Sequence, residues 1–87
     1  MGNQEEEQKV KNLPTHKFRA GGITATVWQN STKKDGKDIE YRTITLERSY
    51  KDKDDKWQTT NSMRINDLPK VAMVCNEAFK VLVLKTE

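Results

Sequence analysis

Two side chains of this sequence have the chemistry of a nucleophile and its base, the single cysteine Cys75 and the single histidine His16. A thiol and an imidazole perform nucleophilic catalysis when they lie within hydrogen-bond distance of each other. Cys75 falls instead on the apolar stripe of a predicted helix, where cysteine packs as a small hydrophobe. His16 lies at the boundary of a polar N-terminal segment. We therefore predict no catalytic residues and no enzymatic activity.

The residues that suggest a metal or phosphate site form incomplete motifs. Asp52, Asp54 and Asp55 resemble the beginning of a calcium loop, but the glycine and glutamate that complete such a loop are missing. Gly21-Gly22 leads into a strand and not into a helix, so it does not form a phosphate-binding loop. One cysteine and one histidine also exclude a disulfide framework and a zinc site built from one chain. We predict no metal and no cofactor.

A more informative pattern is the alternation of apolar and hydroxyl-bearing side chains in residues 18–28, which has the period of a β-strand. Continued into the following strands, it predicts an inner, apolar face made of Ile23, Ala25, Val27, Ile44, Leu46, Met63 and Ile65. It predicts an outer face made of Thr24, Thr26, Trp28, Tyr41, Thr43, Thr45, Thr60, Ser62 and Arg64.

The outer face has the chemistry of a surface for single-stranded nucleic acid. Trp28 and Tyr41 offer rings on which bases stack, while hydroxyls and cations hold phosphates, and Lys17, Arg19 and Arg64 lie within reach. Two other interpretations stay open. Threonine is enriched on any solvated strand face, and a Trp or Tyr at a strand end often covers the rim of the core.

A three-stranded antiparallel meander must position these two faces. Its predicted strands are residues 18–28, 39–50 and 57–65. The polar residues 29–38 form the first connection, whose Asp35-Gly36 step suits a hairpin turn, and residues 51–56 form the second.

Three features of the meander are less regular. Gly21-Gly22 interrupts the first strand and predicts a bulge or a strong bend. Trp57 is in phase with the inner face and is predicted to pack in the core or at its rim. A fourth strand in residues 10–16 is left open, because its pattern is weak.

The last predicted element is a helix that begins after Asn66 or Asp67, with Pro69 in its first turn. Its core-facing stripe consists of Leu68, Val71, Ala72, Cys75, Ala78, Phe79 and Leu82. Further valines widen this stripe beyond what one small sheet covers. We therefore predict a homodimer whose interface includes Val74, Ala78, Val81 and Val83.

Length and composition limit the remaining possibilities. The 87 residues suffice for one domain with one modest core, and no apolar run is long enough to span a bilayer. The polar residues 1–15 predict a disordered tail, which leaves residues 16–87 as the domain. The formal net charge of +3 favours contact with polyanions. Because the N-terminus lacks the features of a secretory signal, we expect a cytoplasmic protein.

Parts of the chain resemble one known family. KFRAGGITATVWQN, together with LERSYKDKDDKWQTTNS and INDLPKVA, resembles a family of small prokaryotic and phage-borne proteins with a K-F-R-x-G, A-T-V-W, R-S-Y-K-D and N-D-L-P signature. This resemblance covers nearly everything from Lys17 onward and implies no particular activity.

The architecture is similar, more loosely, to the single-strand-binding domains of positive-cofactor-four-type coactivators and whirly proteins. That similarity implies helices paired at a dimer interface and curved sheets that bind unpaired DNA. The implied contacts are Lys17, Arg19, Trp28, Tyr41 and Arg64.

The sequence thus predicts an α+β fold, a curled antiparallel meander of three to four strands followed by one C-terminal helix packed on one face. The function it favours is binding of single-stranded nucleic acid, DNA rather than RNA, with little sequence preference. The alternative is a protein-interaction or assembly module that docks a partner chain on the same sheet.

Overall fold

The computed structural model describes residues 11–84, which form one antiparallel sheet followed by one helix. The strands pair in sequence order. They are β1 (Lys11–Ala20), β2 (Ile23–Lys34), β3 (Lys37–Lys51) and β4 (Trp57–Thr60). A 3₁₀ turn at Ile65–Asp67 leads into the helix α1 (Leu68–Val83). The predicted α+β meander with a C-terminal helix is confirmed, with four strands.

The Gly21-Gly22 pair is a turn and not the predicted bulge. It joins β1 to β2, with Ala20 paired to Ile23 and Gly21 at a φ of 61°. A positive φ at the first position of a two-residue hairpin turn is a conformation that glycine adopts without steric cost. A bulge and a hairpin place glycine in the same pattern of alternating residues, and only the pairing of the flanking strands separates them.

Strand β1 extends into the segment that we predicted to be a disordered tail. Residues 11–14 pair with β2, and Thr15 is skipped where the register shifts between Pro14 and His16. Proline is tolerated here because β1 is an edge strand, whose outward side needs no amide donor. The rest of the predicted tail, residues 1–10, lies outside the described residues.

The β2–β3 hairpin is longer than predicted, although its turn is correct. Asp35 and Gly36 have φ values of 55° and 78°, the pair of positive angles that a two-residue type I′ turn requires. The predicted polar loop 29–38 is otherwise strand, with residues paired up to Lys34 and Lys37. Near the turn of this hairpin, cross-strand polar contacts take the place of apolar packing, such as the contact of Lys33 Nζ with Asp38 Oδ1 at 3.8 Å.

The acidic segment between β3 and β4 is a hairpin turn, as predicted. The Asp52 carboxylate accepts hydrogen bonds from the amides of Asp54 (2.9 Å) and Lys56 (3.0 Å) and from Gln58 Nε2 (2.9 Å). The Lys56 amide and then the Gln58 side chain are the main causes that lower the pKa of Asp52. Strand β4 ends at Thr60, so the predicted strand 57–65 is shortened by five residues.

The core lies between α1 and the first two strands. Ile23, Ala25 and Val27 of β2 are fully buried, and Val74 and Ala78 of α1 are nearly so. Around them the partly buried apolar side chains are Phe18, Ala20, Leu46, Met63 and Val71. Because α1 packs on β1 and β2, the inner face of β3 receives less cover.

Two residues of the predicted inner face are consequently not buried. Ile44 in β3 and Ile65 in the 3₁₀ turn remain exposed. Within residues 11–84, α1 is too short and not apolar enough to cross a membrane.

Candidate nucleic-acid interface

The strand register places Trp28 and Tyr41 on the sheet face opposite α1. Ile23, Ala25 and Val27 point towards the helix, so the alternate residues of β2 point away from it. Trp28 is one of these, and Tyr41 is the direct partner of Asn30, another of them. Both rings therefore belong to the outer face, which is the geometry that a binding surface here requires.

Cross-strand hydrogen bonds hold the polar side chains in the middle of the β2–β3 ladder on the outer face. Trp28 Nε1 donates to Thr45 Oγ1 at 3.0 Å, and Asn30 Nδ2 donates to Thr43 Oγ1 at 3.0 Å. These four side chains and Asn12 line a shallow depression of about 180 Å³. The indole is thus fixed in position before any ligand arrives, which reduces the entropy lost on binding.

A larger depression, which we call the trough, crosses the outer face between Trp28 and the β1–β2 turn. It has a volume of about 440 Å³, and all four strands contribute to its lining: Lys17, Arg19, Thr24, Thr26, Glu47, Ser49 and Thr59. Short hydroxyl side chains line its floor, and the longer side chains of Lys17, Arg19 and Glu47 surround them. Thr26 and Asn30 are buried although the helix lies on the other side of the sheet.

The trough carries two cations on β1 and one carboxylate on β3. Lys17 and Arg19 are exposed, and neither forms a salt bridge within residues 11–84. Arg19 Nε lies 3.4 Å from Thr24 Oγ1, which orients the guanidinium across the trough. Glu47 opposes them. The trough therefore has an excess of positive charge beside four hydroxyls.

Trp57 is also part of the outer face, contrary to its predicted packing in the core or at its rim. It pairs with Lys51, in register with Thr59 opposite Ser49, and its side chain is 67% exposed. Lys51 Nζ lies 5.5 Å from the centroid of the indole, within the range of a cation–π contact. The prediction was wrong because it assumed one strand from 57 to 65, whereas the chain leaves the sheet at Thr60.

The ring of Trp57 borders a third depression, the Trp57 cleft, at the end of the outer face nearest the β1–β2 turn. This cleft has a volume of about 560 Å³ and is lined by Arg19, Gly21, Gly22, Ser49, Trp57, Gln58 and Thr59. The sequence pattern placed Trp57 in phase with the inner face. The β3–β4 register places Trp57 and Thr59 on the outer face instead.

Arg64 lies elsewhere, so its predicted place on the outer face is wrong. It follows β4, and its guanidinium contacts Asp67 through Nε at 3.2 Å and a terminal nitrogen at 3.3 Å. Asp67 also contacts Arg48, the sheet partner of Ile23 on the helix side. Thr60 pairs with Arg48 and shares that side, and Ser62 lies outside the strands.

The helix also differs from the prediction in the residues it leaves uncovered. Val74 and Ala78, predicted at a dimer interface, lie in the core of the chain itself, whereas Val81 and Val83 are exposed. Part of the predicted core stripe is exposed instead, because α1 is rotated about its axis so that Val74 faces the sheet. The uncovered stripe consists of Ile65, Leu68, Ala72, Phe79 and Val83, and it contains no ionisable side chain.

The two candidate catalytic side chains lie on different elements, His16 on β1 and Cys75 on α1. His16 Nδ1 lies 3.1 Å from Thr15 Oγ1, and its ring stacks on Phe18 with centroids 6.1 Å apart. Cys75 is half-buried on α1. Within residues 11–84, no group of three or more His, Cys, Asp or Glu side chains converges as metal ligands would.

Comparisons of this chain with protein-family models, with curated proteins and with solved structures find no significant match.

Proposed function

We propose that the protein binds single-stranded nucleic acid on the outer face, with little sequence preference and with unpaired DNA as its principal ligand. The observation that carries this proposal is the trough, a depression with Lys17 and Arg19 on one wall. The indole of Trp28, hydrogen-bonded to Thr45, lies beyond the end of the trough that is farther from the β1–β2 turn. Cations and hydroxyls hold phosphates, and an indole stacks with any base.

The chemistry of the trough accounts for the absence of sequence preference. Specific reading of bases needs side chains that present paired donors and acceptors to base edges, such as Arg, Asn or Gln in rigid positions. Apart from the two cations, most side chains that line the trough carry hydroxyl groups. Asn30 already uses its amide to bind Thr43. A strand held here is therefore bound by its phosphates and by stacking.

The salt dependence of oligonucleotide binding tests this proposal. We expect the affinity of the protein for a fluorescent oligo(dT) to fall between about 50 and 200 mM salt, because phosphate contacts release counterions. Arg19→Ala removes one such contact and should reduce the slope of log K against log salt by about 0.7. Trp28→Ala should weaken binding by about five-fold or more without changing that slope.

Lys80→Ala is the matched control for the loss of charge. Lys80 lies on α1, contacts Glu77 at 3.3 Å and is remote from the outer face, so its removal should leave the affinity and the slope nearly unchanged. Wild-type protein that does not bind oligo(dT) at about 50 mM salt contradicts the proposal. That outcome would favour the alternative, a surface for a partner protein.

We further propose that the chain acts as a homodimer paired through the uncovered stripe of α1. The stripe is apolar and uncharged, and Phe79 within it is 64% exposed. A second copy of the same stripe is its natural occupant, because two uncharged apolar surfaces related by a twofold axis are complementary without matched charges. In such a dimer the two outer faces remain open on the sheet sides opposite the helices.

A further inference from the structure

The Trp57 cleft is built from rigid parts of the sheet. The Ser49 amide donates to the Gly22 carbonyl at 2.9 Å, which fixes the β1–β2 turn against β3. A Cβ on Gly22 would lie 3.1 Å from the Ser49 carbonyl oxygen, so the backbones of the turn and the strand are already in close contact. One side of the cleft is thus backbone of fixed position, and the other is the exposed indole.

The lining of the cleft combines an aromatic ring with one cation, Arg19, and two hydroxyls. The Trp57 indole has the Lys51 ammonium 5.5 Å from its centroid, and Arg19 lies at the border that the cleft shares with the trough. Ser49 and Thr59 add hydroxyls in both depressions. A volume of about 560 Å³ lies within the range of small-ligand sites, about 300–1,000 Å³. These groups match a planar, electron-rich ring that carries a phosphate.

We propose that the Trp57 cleft is a second base-binding subsite, in which one unpaired base stacks on Trp57 while its phosphate contacts Arg19. This inference rests on the proposed function and extends it, since it assigns the strand a path. The path begins at Trp28, crosses the trough beside Lys17 and Arg19, and ends at Trp57. Arg19 lines both depressions and connects the two halves of the path.

The distance between the two indoles sets the length of strand that occupies both subsites. Trp28 is opposite Thr43 and Trp57 is opposite Lys51, eight residues further along β3. At about 3.4 Å per residue, with two strand spacings of about 4.8 Å across the sheet, the separation is about 29 Å. A strand that advances about 3.4 Å per nucleotide spans this with about nine nucleotides, and a more extended strand needs fewer.

The chain has only two tryptophans, so each can be observed alone. In a Trp28→Phe variant, the indole fluorescence comes from Trp57. We expect oligo(dT) of about 12 nucleotides to quench this fluorescence, because a base stacks on the ring. In the converse variant, Trp57→Phe, the fluorescence of Trp28 should be quenched by strands too short to reach the cleft.

The dependence of affinity on strand length provides the second measurement. Trp57→Ala should lower the affinity for a strand of about 12 nucleotides by about five-fold or more, and have less effect on one of about four nucleotides. Trp57→Phe retains a stacking surface and should recover most of the loss. Tyr50→Ala is the control, since Tyr50 is an exposed aromatic on the helix side of the same hairpin. Circular dichroism of each variant confirms that it is folded.

The possible outcomes separate this inference from the proposed function. If wild-type protein binds the long strand while Trp57 fluorescence and the affinity of Trp57→Ala are both unchanged, the second subsite is refuted and binding at the trough stands. If wild-type protein binds no oligonucleotide, both proposals fail. Quenching of Trp57 fluorescence, together with a loss of affinity in Trp57→Ala that is confined to long strands, supports the full path.

Discussion

At the scale of single residues, Asp67 shows how one buried carboxylate joins three parts of the chain. Its side chain is 6% exposed and accepts a hydrogen bond from the Arg64 amide at 2.8 Å. The Arg64 guanidinium also contacts it, and Arg48 Nε lies 3.5 Å away. Since Arg48 belongs to β3 and donates to the Ser62 carbonyl at 3.0 Å, these contacts fasten the start of α1 to the sheet.

The ionisation of Asp67 predicts a dependence of stability on pH. The Arg64 side-chain hydrogen bond, the Arg64 amide and the positive charges of Arg64 and Arg48 lower the pKa of Asp67 below its ordinary value of 3.8, against the opposing effect of burial. The unfolded chain therefore binds more protons than the folded one near that pH. The stabilisation is complete well above pH 3.8 and is lost as the pH falls through the lowered pKa of the folded state.

Asp67→Asn isolates this contribution. Measured by thermal unfolding at neutral pH, the variant should have a Tm lower than the wild type by about 5 °C or more, because its amide cannot pair with two guanidinium groups. The difference should shrink as the pH is lowered below 3.8. The control, Asp54→Asn, alters an exposed carboxyl of the β3–β4 turn and should follow the wild type. A pH-independent difference for Asp67→Asn would refute the explanation.

At the scale of elements, the orientation of α1 decides which apolar side chains stabilise the fold. Val74 belongs to the core cluster with Ile23 and Ala25, whereas Met73, the preceding residue, is exposed. Successive side chains of a helix point about 100° apart, so Val74 can face the sheet while Met73 faces solvent. The sheet covers only one side of the apolar arc, and the orientation with Val74 inward leaves Phe79 outside.

Val74→Ala should therefore lower the free energy of unfolding by about 2 kcal/mol, because it removes two buried methyl groups and leaves a cavity. Met73→Ala removes more atoms, yet it should cost about 0.5 kcal/mol or less, since this side chain is largely in solvent. Urea unfolding of the two variants measures the difference. Equal losses of unfolding free energy in the two variants would mean that Val74 is not the residue by which α1 faces the sheet.

At the scale of the whole molecule, burial is incomplete in a single chain. Only five apolar residues of the described part are buried, while Phe79, Leu68 and Ile65 are among the large apolar residues that remain exposed. Monomers rarely expose large apolar patches, so this stripe supports the proposed dimer. The helix spans about 24 Å, and in the proposed dimer two stripes of this length are in contact on the side away from the trough.

Sedimentation at increasing protein concentration tests this dimer. The wild type should sediment as a dimer, and Phe79→Asp should shift it to the monomer, because the substitution buries an unpaired charge in the interface. Met73→Asp, on another side of α1, should leave the dimer intact. Wild-type protein that sediments as a monomer at high concentration would contradict the dimer. It would not bear on the proposed oligonucleotide binding, which has its own test.

The sequence by itself determined the features that depend on near neighbours in the chain. The alternation of Ile23, Ala25 and Val27 with Thr24 and Trp28 determined which side chains of β2 share a face, because successive residues of a strand point to opposite sides. Asp35-Gly36 determined a turn, because two positive φ angles need such residues. The start of α1 at Leu68, with Pro69 in its first turn, followed from the same kind of local chemistry.

Only the tertiary structure decided the features that depend on distant partners. Gly21-Gly22 became a hairpin because β1 pairs with β2, and Trp57 joined the outer face because β4 ends at Thr60. The choice of Val74 over Phe79 as the buried side of α1 follows from where the helix meets β1 and β2. An apolar arc wider than its sheet can be buried in several rotations of the helix, and the packing of elements far apart in the chain selects one of them.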